Sequence, residues 1–214
     1  MQLMRLQGLR RLQLSSVLFL PDCLPQLTQL TALEVSDSLK YHSGNSEFDL
    51  VEAALQQLSQ LQHLTLGPNI SGLDSPPAAL VCFPALHTLC WRQGSSIDFP
   101  TSSILPAGTW LASLQRLVAP AQILANSLPA LAVAQQLECV GVECLGGDDA
   151  ATLAVIRWAA HRSSLRHLLL QTDAVPAALC DAVLETQRRC PALLFKTCAD
   201  ACDAAAAIEP DQTC

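Results

Sequence analysis

The residues of this chain that could do chemistry are scattered. Five histidines stand at positions 42, 63, 87, 161 and 167, and none has a nucleophile motif around it. There are ten cysteines, the closest pairs being Cys139/Cys144 and Cys198/Cys202, with no C-x-x-C. That spacing is neither a disulfide framework nor a zinc site, and in a reducing compartment such cysteines act as small hydrophobes. Cys198 and Cys202 share helical i, i+4 spacing, but they lack a nearby histidine as a third ligand and a base to activate a thiolate. Gly146-Gly147-Asp148-Asp149 precedes an apolar run and invites an anion-binding reading, yet its two carboxylates would repel phosphate. G-x-S-x-G, P-loop and H-E-x-x-H patterns are absent from the sequence. The expectation is a chain that is not an enzyme, with no catalytic residues, no cofactor and no metal.

Composition narrows the class. The 214 residues are 50% hydrophobic, 14% charged and only 4% aromatic, which suits small repetitive layers better than one aromatic-centred core. Net charge is −7 at a pI near 5.0, so the strongly basic footprint of a nucleic-acid binder is missing. Four of the 19 acids (Asp200, Asp203, Glu209 and Asp211) crowd the end of the chain; without them 15 acids face 12 bases. The arginines and apolar residues after Met1 mimic a signal peptide, but Gln13, Ser15 and Ser16 interrupt the run. No run reaches the length of a membrane span.

The elements that must position any site are announced by Leu61–Leu73. Leucines at 61, 64 and 66, Asn69 and Leu73 make L-x-x-L-x-L-x-x-N-x-x-x-L. Leu64 and Leu66 would point to one face of a short strand, with His63, Thr65 and Gly67 on the other. One such strand cannot bury its apolar face alone; stacked copies can. On these residues the chain resembles a leucine-rich-repeat protein. The resemblance implies an α/β solenoid, or horseshoe, with a short-stranded parallel sheet on the concave face and helices or loops on the convex face. It also implies that Asn69 bonds the backbone of a tight turn between coils.

Looser copies run over residues 1–198, giving about eight degenerate repeats. Their first strand residues are read as Leu12, Leu33, Leu64, Leu89, Leu117, Leu137, Leu168 and Leu193. At the asparagine position stand Val17, Ser38, Asn69, Gly94, Gln122, Val142, Asp173 and Cys198. Helices are expected from Ser46 to Leu58, from Pro77 toward Cys82, from Asp149 to His161 and from Pro176 to Arg189. The polar stretches 40–45 and 95–103 read as loops. Residues 199–214, acidic and alanine-rich, are expected to be a frayed helix or disordered. The repeat leucines begin almost at Met1 without a polar cap, so an N-terminal cap is expected to be missing.

In such a fold, function sits on the concave strands. The residues expected to touch a protein partner are Arg92, Arg116, Val118, Val140, His167, Leu169, Gln171 and Leu194. The three cationic residues would act as polar anchors and the four aliphatic ones as an exposed apolar stripe. The expected role is a non-enzymatic protein-interaction scaffold in the cytoplasm, the cytoskeleton being one location considered for it. Two alternatives stand beside it. Cys190-Pro191 and the stretch ending at Cys198 resemble the cysteine-containing repeats of F-box ubiquitin-ligase subunits, although no F-box helices precede residue 1. Asn69-Ile70-Ser71 is a glycosylation sequon, as an ectodomain fragment of a leucine-rich-repeat receptor would carry, although cap cysteines and a span are absent.

Overall fold

The computed structural model describes residues 8–15, 23–36, 52–67, 76–92, 103–144, 149–172 and 177–198. Within them lie eight strands: β1 (Arg11–Ser15), β2 (Ala32–Ser36), β3 (His63–Leu66), β4 (Thr88–Trp91), β5 (Arg116–Pro120), β6 (Cys139–Glu143), β7 (His167–Gln171) and β8 (Leu194–Cys198). They form one sheet in the order β1 to β8, every adjacent pair parallel. Each coil of chain therefore lays its strand beside the previous one and climbs by one step. This is the leucine-rich-repeat architecture, α/β with an all-parallel sheet of short strands.

Two rows of side chains point from the sheet into the core. The first is Leu12, Leu33, Leu64, Leu89, Leu117, Val140, Leu168 and Phe195, in register across all eight strands. The second runs Leu14, Val35, Leu66 and Trp91, and continues at Ala119, Val142 and Leu170. A third row precedes the strands: Leu30, Leu61, Leu86, Leu114, Leu137, Leu165 and Leu193, all buried. Their environment is the continuous apolar core running through the stack, and burial of each leucine contributes about 1.5–3 kcal/mol.

The backbone repeats as faithfully as the leucines. In six coils the N–H of the pre-strand leucine donates to the carbonyl three residues back, from Leu30 to Leu27 (2.9 Å) through to Leu193 to Cys190 (3.0 Å). The next two N–H groups then share one carbonyl of the coil below: Thr31 and Ala32 on Arg10, Gln62 and His63 on Thr31, and so on to Arg166 and His167 on Glu138.

This pattern corrects two of the repeat phases. In the sixth coil the core strand residues are Val140 and Val142, preceded by Leu137; Cys139 faces the other way. Leu137-x-x-Val140-x-Val142 is the true copy, and valines at the leucine positions disguise it. Val142 is thus a core residue and not a turn residue. In the eighth coil Leu193 is the pre-strand residue, matching Leu86, and Cys190-Pro191-Ala192-Leu193 matches Phe83-Pro84-Ala85-Leu86. One residue fewer separates Leu193 from its strand, so Phe195 pairs with Leu168 and only Leu194 donates to Arg166. Cys198 lies inside β8, opposite Gln171.

Behind the second half of the sheet stand three helices: α1 (Ala121–Leu131), α2 (Asp149–Ala159) and α3 (Ala177–Arg189). They pack in sequence, α1 on α2 and α2 on α3. Helices sit roughly 8–10 Å apart and strands about 4.8 Å, so rows of each joined back to back put the sheet on the inner side of a bend. Helix α1 was not anticipated from the sequence. It starts directly after Pro120, so Gln122 bonds the Asn126 side chain (3.1 Å) within the helix instead of occupying a turn. Pro129 inside α1 removes one donor. Just beyond its end, Arg162 donates to the carbonyls of Ala132 (3.1 Å) and Ala134 (2.5 Å) and lies over the Trp158 ring.

In the first half the described helical segments are shorter. They are the 3-10 turns Leu24–Gln26 and Ala78–Cys82, helical residues 52–56 and the single turn Trp110–Ser113. The expected helices after Pro77, from Asp149 and from Pro176 are found. Of the helix expected from Ser46, residues 52–56 are helical and the start lies outside the described residues. Asn69, Val17, Ser38, Gly94, Asp173, most of the two loops, the sequon and the tail 199–214 also lie outside them.

Candidate functional site

Alternation leaves three columns on the face of the sheet turned away from the core. Column one is Arg11, Ala32, His63, Thr88, Arg116, Cys139, His167 and Leu194. Column two is Gln13, Glu34, Thr65, Cys90, Val118, Gly141, Leu169 and Lys196. Column three includes Ser15 and Ser36 at one end and Pro120, Glu143, Gln171 and Cys198 at the other. Polar neighbours on adjacent coils bond each other across the face: Gln13 Nε2 donates to Glu34 Oε1 (3.2 Å), and the hydroxyls of Ser15 and Ser36 meet at 3.1 Å.

The two halves of this face differ. Over β1 to β5 it is hollowed into an open depression of about 600 Å³, walled by Arg11, Gln13, Glu34, His63, Thr65 and Arg116 among others. Over β5 to β7 it is closed. Val118 and Leu169 lie in column two as expected, but are 0% and 1% exposed, and both stand outside the continuous core. They are not a surface stripe.

The remaining expected contact residues divide similarly. Val140 is a core residue, 0% exposed, because the true register of the sixth coil turns it inward. Arg116 is half-buried on the rim of the depression. His167 and Gln171 are half-buried on the free face, and Leu194, paired with His167, is 57% exposed. Arg92 follows β4 and is half-buried, its N–H donating to Leu66 (2.9 Å). The structure thus brings Arg116, His167 and Leu194 into one column and leaves Val140 out.

Column one also holds Arg11 and His63, which the expected contact residues leave out, and a pattern that joins them to Arg116 and His167. Arg11, His63, Arg116 and His167 each precede the first core residue of their strand, so the dipeptides R-L and H-L recur at 11–12, 63–64, 116–117 and 167–168. His87, one residue ahead of β4, brings its ring to 6.4 Å from that of His63. These groups share one field. Burial lowers the pKa of His63, helped by His87, Arg11 and Arg116. Burial lowers that of His167 too, helped by Arg166 and Arg116, while Glu138 acts in the opposite sense. Arg116 acts on both imidazoles, and every charge acting on His63 is cationic.

Among the described residues no group of three or more histidine, cysteine or carboxylate side chains is placed to hold a metal ion, and no helix is long and apolar enough to cross a membrane. No family model and no curated protein matches the chain. Among solved structures it is similar to the tropomodulin C-terminal domain of Caenorhabditis elegans, with 12% identity over 78% of this chain and 89% of that one, at a TM-score of 0.39. At that level of likeness no partner carries over to this chain.

Proposed function

We propose that the chain is a non-enzymatic scaffold that binds a protein partner on the free face of its sheet, centred on the depression over β1 to β5. The observation that carries this reading is the contrast between the two halves of the face. In one half Val118 and Leu169 are buried; the other is an open hollow lined mostly by polar and charged residues held on the strands. A surface fixed before binding loses little conformational entropy on association. Arginine and histidine projecting from alternate strands offer directional donors to a partner. Arg116, His167, Gln171, Leu194 and Arg92 remain candidate contacts.

The test uses photo-crosslinking amino acids placed singly at Thr65 and Thr88 on the free face, and at Leu184, which is exposed on α3. One partner should be recovered from both threonine positions and not from Leu184. Recovery of the same partner from Leu184 alone would move the binding surface to the helices and end the reading.

A further inference from the structure

We infer that the partner segment seated on this face is acidic, a stretch of extended chain whose carboxylates bridge Arg11 and Arg116 across His63 and His87. The inference rests on the reading of the free face as a protein-binding surface and names the chemistry of what binds there. The chain as a whole carries a net charge of −7, yet Arg11, Arg116 and His63 line the hollow against one acid, Glu34. Arg11 stands on β1, His63 on β3 and Arg116 on β5, all in one column, with the His87 ring beside that of His63. Two of the described acids flank this line. Glu34 is in the next column and already accepts a bond from Gln13 (3.2 Å); Glu138 precedes β6 and acts on His167.

Geometry sets the length. Four strand steps of about 4.8 Å separate Arg11 from Arg116, about 19 Å in all. An extended chain covers that in about six residues. Guanidinium groups grip carboxylates through paired parallel bonds, so two acids about six residues apart fit the two ends. The His63 imidazole between them holds a proton more readily when carboxylates arrive, because an anion offsets the surrounding cations.

The probe is fluorescein-labelled hepta-glutamate titrated into the full chain and read by anisotropy. It should bind, bind more weakly as salt rises, and lose about tenfold or more in affinity in the Arg11→Glu/Arg116→Glu double variant. Arg157→Glu, at the exposed last turn of α2, should leave affinity within about twofold. Because Arg116 is half-buried, Arg11→Gln/Arg116→Gln serves as a milder second pair, with circular dichroism confirming the fold. Absent binding overturns the inference, as does equal loss in Arg157→Glu. So does tighter binding of a single-stranded oligonucleotide of equal charge through the same arginines. If the crosslinked partner contacts Thr65 through a segment without carboxylates, only this inference falls; recovery from Leu184 alone removes the reading beneath it.

Discussion

The register of the sixth coil decides which of two adjacent residues is structural, and a pair of truncations measures it. Val140 lies in the first core row between Leu117 and Leu168 and is wholly buried. Val140→Ala removes two methyl groups. At about 0.8 kcal/mol per buried carbon, the transfer loss is about 1.6 kcal/mol. The vacated volume, roughly 40 Å³ if the stack does not collapse, adds about 1 kcal/mol at 24 cal/mol per Å³. The expected loss is about 2.5 kcal/mol. Cys139 is also buried, but on the opposite side of the strand and outside the continuous core. Cys139→Ala removes one sulfur atom and should cost about 1 kcal/mol or less. Urea unfolding followed by far-UV circular dichroism gives both values, provided the slope stays constant between variants. Were Leu137 and Cys139 the core pair, as the spacing of leucines alone suggests, the order would invert. A Cys139→Ala variant less stable than Val140→Ala would refute the register.

Two further outcomes follow from contacts between coils and from the charged column. Arg162→Ala removes two charge-assisted bonds, to Ala132 and Ala134, and the contact over Trp158; a loss of about 1–3 kcal/mol is expected in urea unfolding, and an unchanged midpoint would mean that water replaces the guanidinium without cost. His63 and His167 have folded pKa values below 6.5, so the unfolded chain binds more protons just under that pH. Stability from this source is fully present above pH 6.5 and declines as pH falls from there toward the folded values; His63→Gln should flatten the midpoint-versus-pH curve in that window, and a midpoint that rises on acidification from pH 7 to 6 would reverse the sign.

Much of the fold was legible because it repeats. A leucine three residues ahead of another, with a third apolar residue two beyond, recurs from coil to coil, and six of the eight strands fall where those residues place them. The failures are local and physical. Val140 and Val142 satisfy the same core positions as leucine, since the stack asks only for an apolar side chain of about that size. The eighth coil drops one residue before its strand, a change that spacing cannot reveal because Leu193, Leu194 and Phe195 are all apolar. Helix α1 hid for a related reason: Ala121, Ile123, Leu124 and Leu131, buried behind the sheet, read equally well as repeat leucines and as a helical face.

The site was less legible, and the reason lies in what each kind of residue must do. A core position is constrained by its neighbours on two coils, so its type betrays its place. A free-face position is constrained only by whatever arrives, so sequence offers no internal check on it. The expected apolar stripe illustrates this: Val118 and Leu169 share a column, as alternation requires, yet burial removes them from any surface. The cationic column is the exception, since R-L and H-L recur at the same point of four coils. A position facing solvent has no packing reason to repeat a charge, and like charges gathered in one column repel. Burial is the main cause of the lowered pKa values of His63 and His167, and the neighbouring cations add to it. An arrangement that costs the isolated chain stability at the centre of an open hollow is accounted for when an opposite charge enters it, and that is the physical ground for placing carboxylates there.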